Sequence, residues 1–474
     1  MEIIKSYLSI IDARLLKHIT GRPGQFIELF CSREWLSEEA FIQQLNGKKY
    51  SRSNYWELKS RTVKILQLMA LVSTPRGNSV VKNKYDFCQK KFVIAQKFLN
   101  TGQRKEGLRL AKQAYEIAVA YDFTQLACEL ASIIYHDYIY YHPHPQKAEH
   151  FAQQSERFLH NYLVEKKVEH RYFKVFGQLK GALDAEDLAR TIQELAQWNG
   201  QSIKAQSYQA MLVVLYGFRI GDYPRIREKC REVLAFFEYK KGVFSSHRQF
   251  FLINQGIAEM VLQDYPAAKA CFDQAQSHAP PKSVNDYISR YYQTLNALHA
   301  GDYPYAYECY RKNRRCKYEM VREQFAIIEA YLCFCAHLGY LQLDRIFRLG
   351  KYLNETFRAQ RDKQGDNVAI LIAELLVHLA RDRGKFIDRV DAISKYSYRH
   401  LKTPETQRAK HFIKILASLP SANFNPTALE RKAAPAIAYL HDNPLRLGEN
   451  FAIEIIPFDR LLEMIIKKLE KRVA

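Results

Sequence analysis

Apolar residues along this chain recur at three- and four-residue steps, and short clusters rich in Gly, Asp and Pro interrupt them at nearly even intervals. The interruptions fall at Gly102, His142-Pro143, Gly181, Gly221, Gln263, Gly301, Gly339 and Gly384, 38 to 45 residues apart. A period near 40 residues predicts antiparallel helix pairs, with about 17 residues in each helix, stacked pair upon pair. Three interruptions carry nearly the same words: Gly221-Asp222-Tyr223-Pro224, Gln263-Asp264-Tyr265-Pro266 and Gly301-Asp302-Tyr303-Pro304. In each, Gly or Gln is to end one helix, Asp to cap the next, and Pro to sit in its first turn. The outer intervals are looser. The segment after Gly102 keeps the small residues Gly107, Ala111 and Ala114 but lacks Asp-Tyr, and after Gly339 only the helical spacing survives.

The best-defined interval runs from Gln249 to Lys282. Gly256 and Ala268 are small where two helices would cross, Asp264-Tyr265 makes the turn, Phe272 fills the gap to the next pair, and Pro280 ends the second helix. At these positions the segment resembles a tetratricopeptide (TPR) repeat. The resemblance implies an α-solenoid with a concave inner wall and a role in binding other macromolecules, and it brings no chemistry with it.

Residues 1–73 read as a separate helical domain with four helices: Ser6 to Ile19, Gln25 to Cys31, one capped by Ser37, and Asn54 to Val72. The pattern Leu36-Ser37-Glu38-Glu39, Phe41, Lys49-Tyr50-Ser51, Leu58-Lys59-Ser60 and Leu66 resembles the opening of a family of uncharacterised bacterial helical-repeat proteins. That likeness implies a standing N-terminal module and no activity. Thr74 to Ser79 marks the boundary, residues 80–419 form about eight helical pairs, and residues 426–474 form a C-terminal capping segment. Within that segment a helix is expected to break at Pro435, Phe451 to Ile456 to be extended, and a last helix to open at Pro457. Its one-sided stripe of Phe458, Leu461, Leu462, Ile465, Ile466 and Leu469 would cover the open end of the stack. A membrane or partner helix is the alternative, because Lys467, Lys468, Lys471 and Arg472 flank the stripe.

Composition narrows the class. Across 474 residues, 71 Lys and Arg against 50 Asp and Glu give a net charge of +21, which favours an anionic partner or an ordinary basic protein. Nine cysteines stand singly, without a C-x-x-C, as buried reduced thiols of a cytoplasmic protein would. No apolar run is long enough to span a membrane, and the first residues do not read as a signal peptide.

Catalytic patterns are missing: no phosphate-binding glycine loop, no H-E-x-x-H and no G-x-S-x-G. His136, His142, His144 and His150 read as a solvated turn without a carboxylate at ligand spacing, and Glu374 with His378 as a helix-surface pair. No cofactor or metal is expected. The candidate binding residues are cations. Arg311, Lys312, Arg314, Arg315 and Lys317 follow a run of tyrosines. Arg345, Arg348 and Lys351 share a face if that stretch is helical, and Arg381, Arg383, Lys385 and Arg389 follow them. Another group includes Lys48, Lys49, Arg52, Lys59, Arg61 and Lys64. For each group the plainer reading is solvated surface. The expectation is an all-α, TPR-like solenoid that acts as a non-catalytic cytoplasmic scaffold or adaptor for another protein or peptide, using its concave face. The alternatives are nucleic-acid or ribonucleoprotein binding through the basic patches, and a peptide-sensing regulator, which longer-helix TPR-like proteins of bacteria resemble.

Overall fold

The computed structural model describes residues 2–32, 37–46, 52–73, 79–178, 184–198, 201–350, 352–353, 366–403, 406–445 and 454–473. Its regular elements are helices, and no strand occurs among the described residues. The chain divides into two units, the first comprising residues 1–166, 200–203 and 240–244 and the second the remainder.

The first unit opens with α1 (Glu2–Ile10), α2 (Ala13–Leu16), α3 (Gly21–Cys31), α4 (Glu38–Asn46) and α5 (Arg52–Val72). Ser6 to Ile19 is therefore not one helix. Asp12 leaves the helical region and caps α2 by accepting from the Arg14 N–H, while its own N–H donates to Ser73 Oγ at 2.8 Å. Ser37 caps α4 as expected, accepting from the Ala40 N–H at 3.1 Å. The core of these helices is Ile4, Ile11, Phe26, Ile27, Phe30, Phe41, Tyr55 and Leu66. Phe41 meets Phe26 edge-on at 4.9 Å between ring centroids, a favoured aromatic geometry.

There follow α6 (Val80–Asn100), α7 (Arg104–Ala120), α8 (Thr124–Tyr140) and α9 (Pro145–Gln178), which carries the chain out of the first unit. Packing of α6, α7 and α8 buries Cys88, Ala95, Ala111, Ala114, Ala127 and Leu130. Gly107 is small for a reason: a Cβ there would lie 2.8 Å from Leu99 on α6.

The second unit contains α10 (Ala185–Ala196), α11 (Ile203–Ile220), α12 (Tyr223–Glu238), α13 (Ser245–Val261), α14 (Tyr265–Ser277), α15 (Val284–Ala300), α16 (Tyr303–Asn313) and α17 (Glu319–His337). It continues with α18 (Asp366–Arg381), α19 (Arg383–His400), α20 (Gln407–Ser418), α21 (Pro426–Asp442) and α22 (Phe458–Val473). From α12 onward each helix packs on the next, and α15 also touches α13 and α17 directly. The three repeated turns have one geometry. Gly221, Gln263 and Gly301 adopt left-handed φ of 74°, 63° and 81°. The N–H groups of Asp222, Asp264 and Asp302 then reach back to the carbonyls of Gly217, Glu259 and Ala297 at 2.8, 2.9 and 2.9 Å. Each Asp carboxylate caps the following helix, accepting from the N–H of Arg225, Ala267 and Tyr305 at 3.0, 3.1 and 3.1 Å. Helices cross closely beside these turns. A Cβ on Gly256 would meet the Phe272 ring at 2.5 Å, and one on Gly217 would meet Ile226 at 2.5 Å.

Several local expectations give way. After Gly339 the chain leaves the helix, and residues 340–348 are irregular. The three-residue step from Arg345 to Arg348 therefore does not place these residues on a common helix face, and Lys351 lies outside the described residues. Pro435 does not interrupt α21, which runs through it from Pro426 to Asp442. A proline costs one backbone hydrogen bond, and Pro435 and Arg431 are both exposed, so water can take the freed Arg431 carbonyl. Of the stretch expected to be extended, residues 451–453 lie outside the described residues, and Glu454, Ile455 and Ile456 are buried without forming a strand.

The last helix is tied to its own unit at several points. Arg460 Nη1 donates to the His299 carbonyl at 2.7 Å and Lys468 Nζ to the His337 carbonyl at 3.4 Å, which sets cations of α22 at the C-termini of α15 and α17, the negative ends of their dipoles. Tyr303 donates to Met464 Sδ, and Phe412 of α20 stacks on Phe458 at 4.5 Å. The apolar stripe of α22 thus lies along the helices of its own unit, with Phe458, Leu461, Leu462, Ile465 and Leu469 buried.

Candidate functional site

Helix packing engages many of the cations that the sequence offers for binding. Lys312 pairs with Glu308 at 2.6 Å one turn back on α16, and Arg314 lies 3.7 Å from Asp344, which also accepts from the Tyr307 hydroxyl. Lys317 sits 5.2 Å from the centre of the Tyr318 ring. Arg345 reaches α16 and α17, donating to the Tyr310 hydroxyl at 2.7 Å and pairing with Glu329. Arg381 joins α18 to α17, donating to His337 Nε2 at 3.0 Å, the Phe347 carbonyl at 3.2 Å and Cys333 Sγ at 3.2 Å. Arg383 lies 4.5 Å from the centre of the Phe424 ring, and Lys385 is 3.9 Å from Asp382, the N-cap of α19. Arg389 clamps Glu374 with two bonds of 2.7 and 3.0 Å, and the Glu374 carboxylate holds its pKa above the ordinary value. Arg311, Arg315 and Arg348 face solvent. In the N-terminal group, Lys59 pairs with Glu38 at 2.5 Å over the Trp56 ring, Arg61 and Lys64 are exposed, and Lys48 and Lys49 lie outside the described residues.

Two other sequence readings change. Glu374 is buried, not on a helix surface, and Arg389 from the neighbouring helix is its main partner, with His378 3.9 Å away. His142 does have a carboxylate beside it: its Nδ1 lies 3.0 Å from buried Asp137 on the last turn of α8. Among the described residues no group of three or more His, Cys, Asp or Glu gathers where it could hold a metal ion. The buried thiols are poor nucleophiles. Burial pushes Cys333 up to about 11, although Arg381 pulls the other way, and pushes Cys88 and Cys271 to about 11 as well.

One open surface able to take a chain segment is a groove with α12 and α14 as walls and α13 as floor. It consists of two adjoining open depressions of about 390 and 590 Å³ that share Leu234, Leu252 and Gln274. Charge of both signs lines it: Arg231 and Glu259 in the first depression, Glu238, Arg248 and His278 in the second. Glu259 is fully buried, held by Arg231 at 2.7 Å with Arg227 3.6 Å away. Burial, followed by the nearby Arg248 charge, lowers the pKa of His278. The groove residues come from α13 positions Arg248, Leu252, Gln255 and Glu259, one face by helical spacing, while Gln249 on another face bonds Ser289 of α15 at 3.0 Å. A lone carboxylate inside the apolar run Gly256 to Val261 was the one sequence sign of this site.

With this geometry the chain belongs to the all-α class, and no helix among the described residues is long and apolar enough to cross a membrane. No protein-family model, curated protein or solved structure matches it.

Proposed function

We propose that the protein is a non-catalytic protein–protein interaction scaffold, a TPR-like α-solenoid that holds a segment of a partner protein in the α12–α14 groove. The observation that carries this reading is the recurrence of one turn geometry at Gly221, Gln263 and Gly301, with each helix from α12 to α17 packed on its successor. Stacked pairs of this kind form a rigid, extended surface, which binds a chain segment with little ordering cost on the protein's side. The row α13, α15 and α17 would be the concave wall. Arg460 and Lys468 of α22 already occupy the C-terminal ends of α15 and α17, so a partner on that wall would meet those two ends closed. The groove on the other face of α13 has an apolar floor at Leu252, a charged rim and open volume, features that suit a peptide of mixed sequence. A nucleic-acid role for the unit's basic residues would rest on Arg311, Arg315 and Arg348, because Arg345, Arg381 and Arg389 are engaged within the fold.

A photo-crosslinking amino acid placed at exposed Gln274 in the native cell tests the reading. A discrete protein adduct is expected, and Ala270→Arg, which projects a charged side chain into the groove, should remove it. An adduct that persists in Ala270→Arg, or one that consists of nucleic acid, refutes the assignment.

A further inference from the structure

The first unit carries an exposed aromatic corner that the scaffold reading does not use. It forms where the start of α7 meets the connection between α8 and α9. Tyr140 is 72% exposed and Tyr141 50%, far more than aromatic side chains that serve a core. The Arg104 guanidinium lies 3.0 Å from the centre of the Tyr141 ring, and the two tyrosine rings stand edge to face at 6.5 Å. Ile139, the neighbour of Tyr140 in sequence, lines a depression of about 280 Å³ with Tyr138, Pro143, Ala148 and Glu149, among others. Lysines bracket Tyr138: Lys112 donates to its hydroxyl at 2.9 Å, and Lys147 lies 5.6 Å from the ring centre.

Charge decides what such a corner attracts. Of its carboxylates, Asp137 is buried against His142 and Glu106 pairs with Arg109, while Glu149 is exposed and accepts from the neutral Gln153 amide at 2.8 Å, so Glu149 is the one negative charge set against the cations named below. Lys105 and Lys147 are exposed, the latter beside Tyr138, and Arg104, next to Lys105 in sequence, is half-buried on Tyr141. Open rings flanked by cations are the combination that binds a flexible polyanion with flat bases. The bases stack on the rings whatever their sequence, and the cations take the phosphates. A proline-rich peptide also favours aromatic surfaces but makes no use of the cations.

We propose that this corner binds single-stranded nucleic acid, with bases stacked on Tyr140 and Tyr141 and phosphates held by Arg104, Lys105 and Lys147. The site is separate from the α12–α14 groove, and either can fail without the other. Fluorescence anisotropy of a labelled single-stranded RNA of about 12 nucleotides, titrated with the full chain, provides the test. The expected result is binding that weakens with salt, at a log–log slope of about −0.7 for each phosphate held. Tyr140→Ala with Tyr141→Ala should weaken binding roughly 10-fold or more, whereas Tyr140→Phe with Tyr141→Phe should retain it, because stacking needs the ring and not the hydroxyl. Lys147→Gln should flatten the salt slope by about 0.7. Both tyrosines are exposed, and an unchanged circular-dichroism melt checks that the variants fold. The proposal is overturned if the chain does not bind at low salt, or if the double alanine variant binds like the unchanged chain. Equal affinity for a duplex, or preference of the corner for a proline-rich peptide, also overturns it.

Discussion

Replacing Arg408 with methionine should loosen the C-terminal helix from its unit, and the size of the effect follows from what Arg408 holds. Its side chain is mostly buried and donates to Glu454 at 2.7 and 3.2 Å, to Asp459 at 2.7 Å and to the Leu440 carbonyl at 2.7 Å, with a further contact to the Asn443 carbonyl. Glu454 is buried and also accepts from the Phe458 N–H at 3.0 Å, at the start of α22. Methionine fills similar volume but leaves the Glu454 carboxylate without its counter-ion, a change that typically costs about 3–5 kcal/mol. Hydrogen exchange read on the peptide covering residues 458–473 should then lose protection by roughly two to four orders of magnitude, if local opening dominates. The effect should depend on pH. Burial raises the Glu454 pKa even in the intact chain, against the pull of Arg408, and without Arg408 it must rise further. A carboxyl whose folded-state pKa lies above its unfolded value binds more protons when folded, so its contribution to stability falls as pH rises through that interval. The deficit of Arg408→Met relative to the unchanged chain should therefore be largest near neutral pH and shrink on acidification, and Glu454→Gln in the Arg408→Met background should recover part of it. A pH-independent deficit, or no recovery in the double variant, would refute the claim that a stranded buried charge is the cause.

Gln263 is the one left-handed turn residue of the repeated three that is not glycine. Gln263→Gly should raise the urea midpoint by an amount equivalent to about 0.5–1 kcal/mol, since relief of the left-handed strain exceeds the added flexibility of the unfolded chain; a lower midpoint counts against the turn assignment. His299 is fully buried with Nε2 3.1 Å from the Glu454 carbonyl, and burial pushes its pKa from 6.5 down to about 4. Its contribution is present above pH 6.5 and is lost as pH falls towards 4, by up to about 3 kcal/mol. The difference in stability between the unchanged chain and His299→Gln, followed from pH 8 to 4, should show that slope. A flat difference would mean that His299 does not titrate as a buried neutral ring.

What could be read in advance was whatever depends on neighbours in sequence. The Gly-Asp-Tyr-Pro turns, the Ser37 cap and the small residue at Gly256 each rest on a rule that acts within one turn or one hairpin. The cation assignments rest on partners 15 residues away or more: Glu374 for Arg389, Glu329 for Arg345, Cys333 for Arg381. Spacing along a helix names the face a cation occupies, not the carboxylate that the adjoining helix brings to it. The irregular stretch after Gly339 was hidden for a similar reason. Arg345, Ile346, Phe347 and Arg348 have helical spacing, but the Tyr307–Asp344 and Arg345–Glu329 contacts hold the backbone in another course. The groove was out of reach because its walls lie on α12 and α14, brought together only by the crossing of α13 between them.

The bond from Arg460 to the His299 carbonyl spans 161 residues of sequence. At ribosomal rates of about 5–20 residues per second, α15 leaves the exit tunnel roughly 8 to 30 s before the helix that brings Arg460 to its end. Until that helix is made, the apolar surface of Phe334, Leu338 and Leu379 that meets Ile465 and Leu469 also stays open. A cell making this protein must therefore shield that surface with a chaperone, or tolerate it, before the last helix arrives.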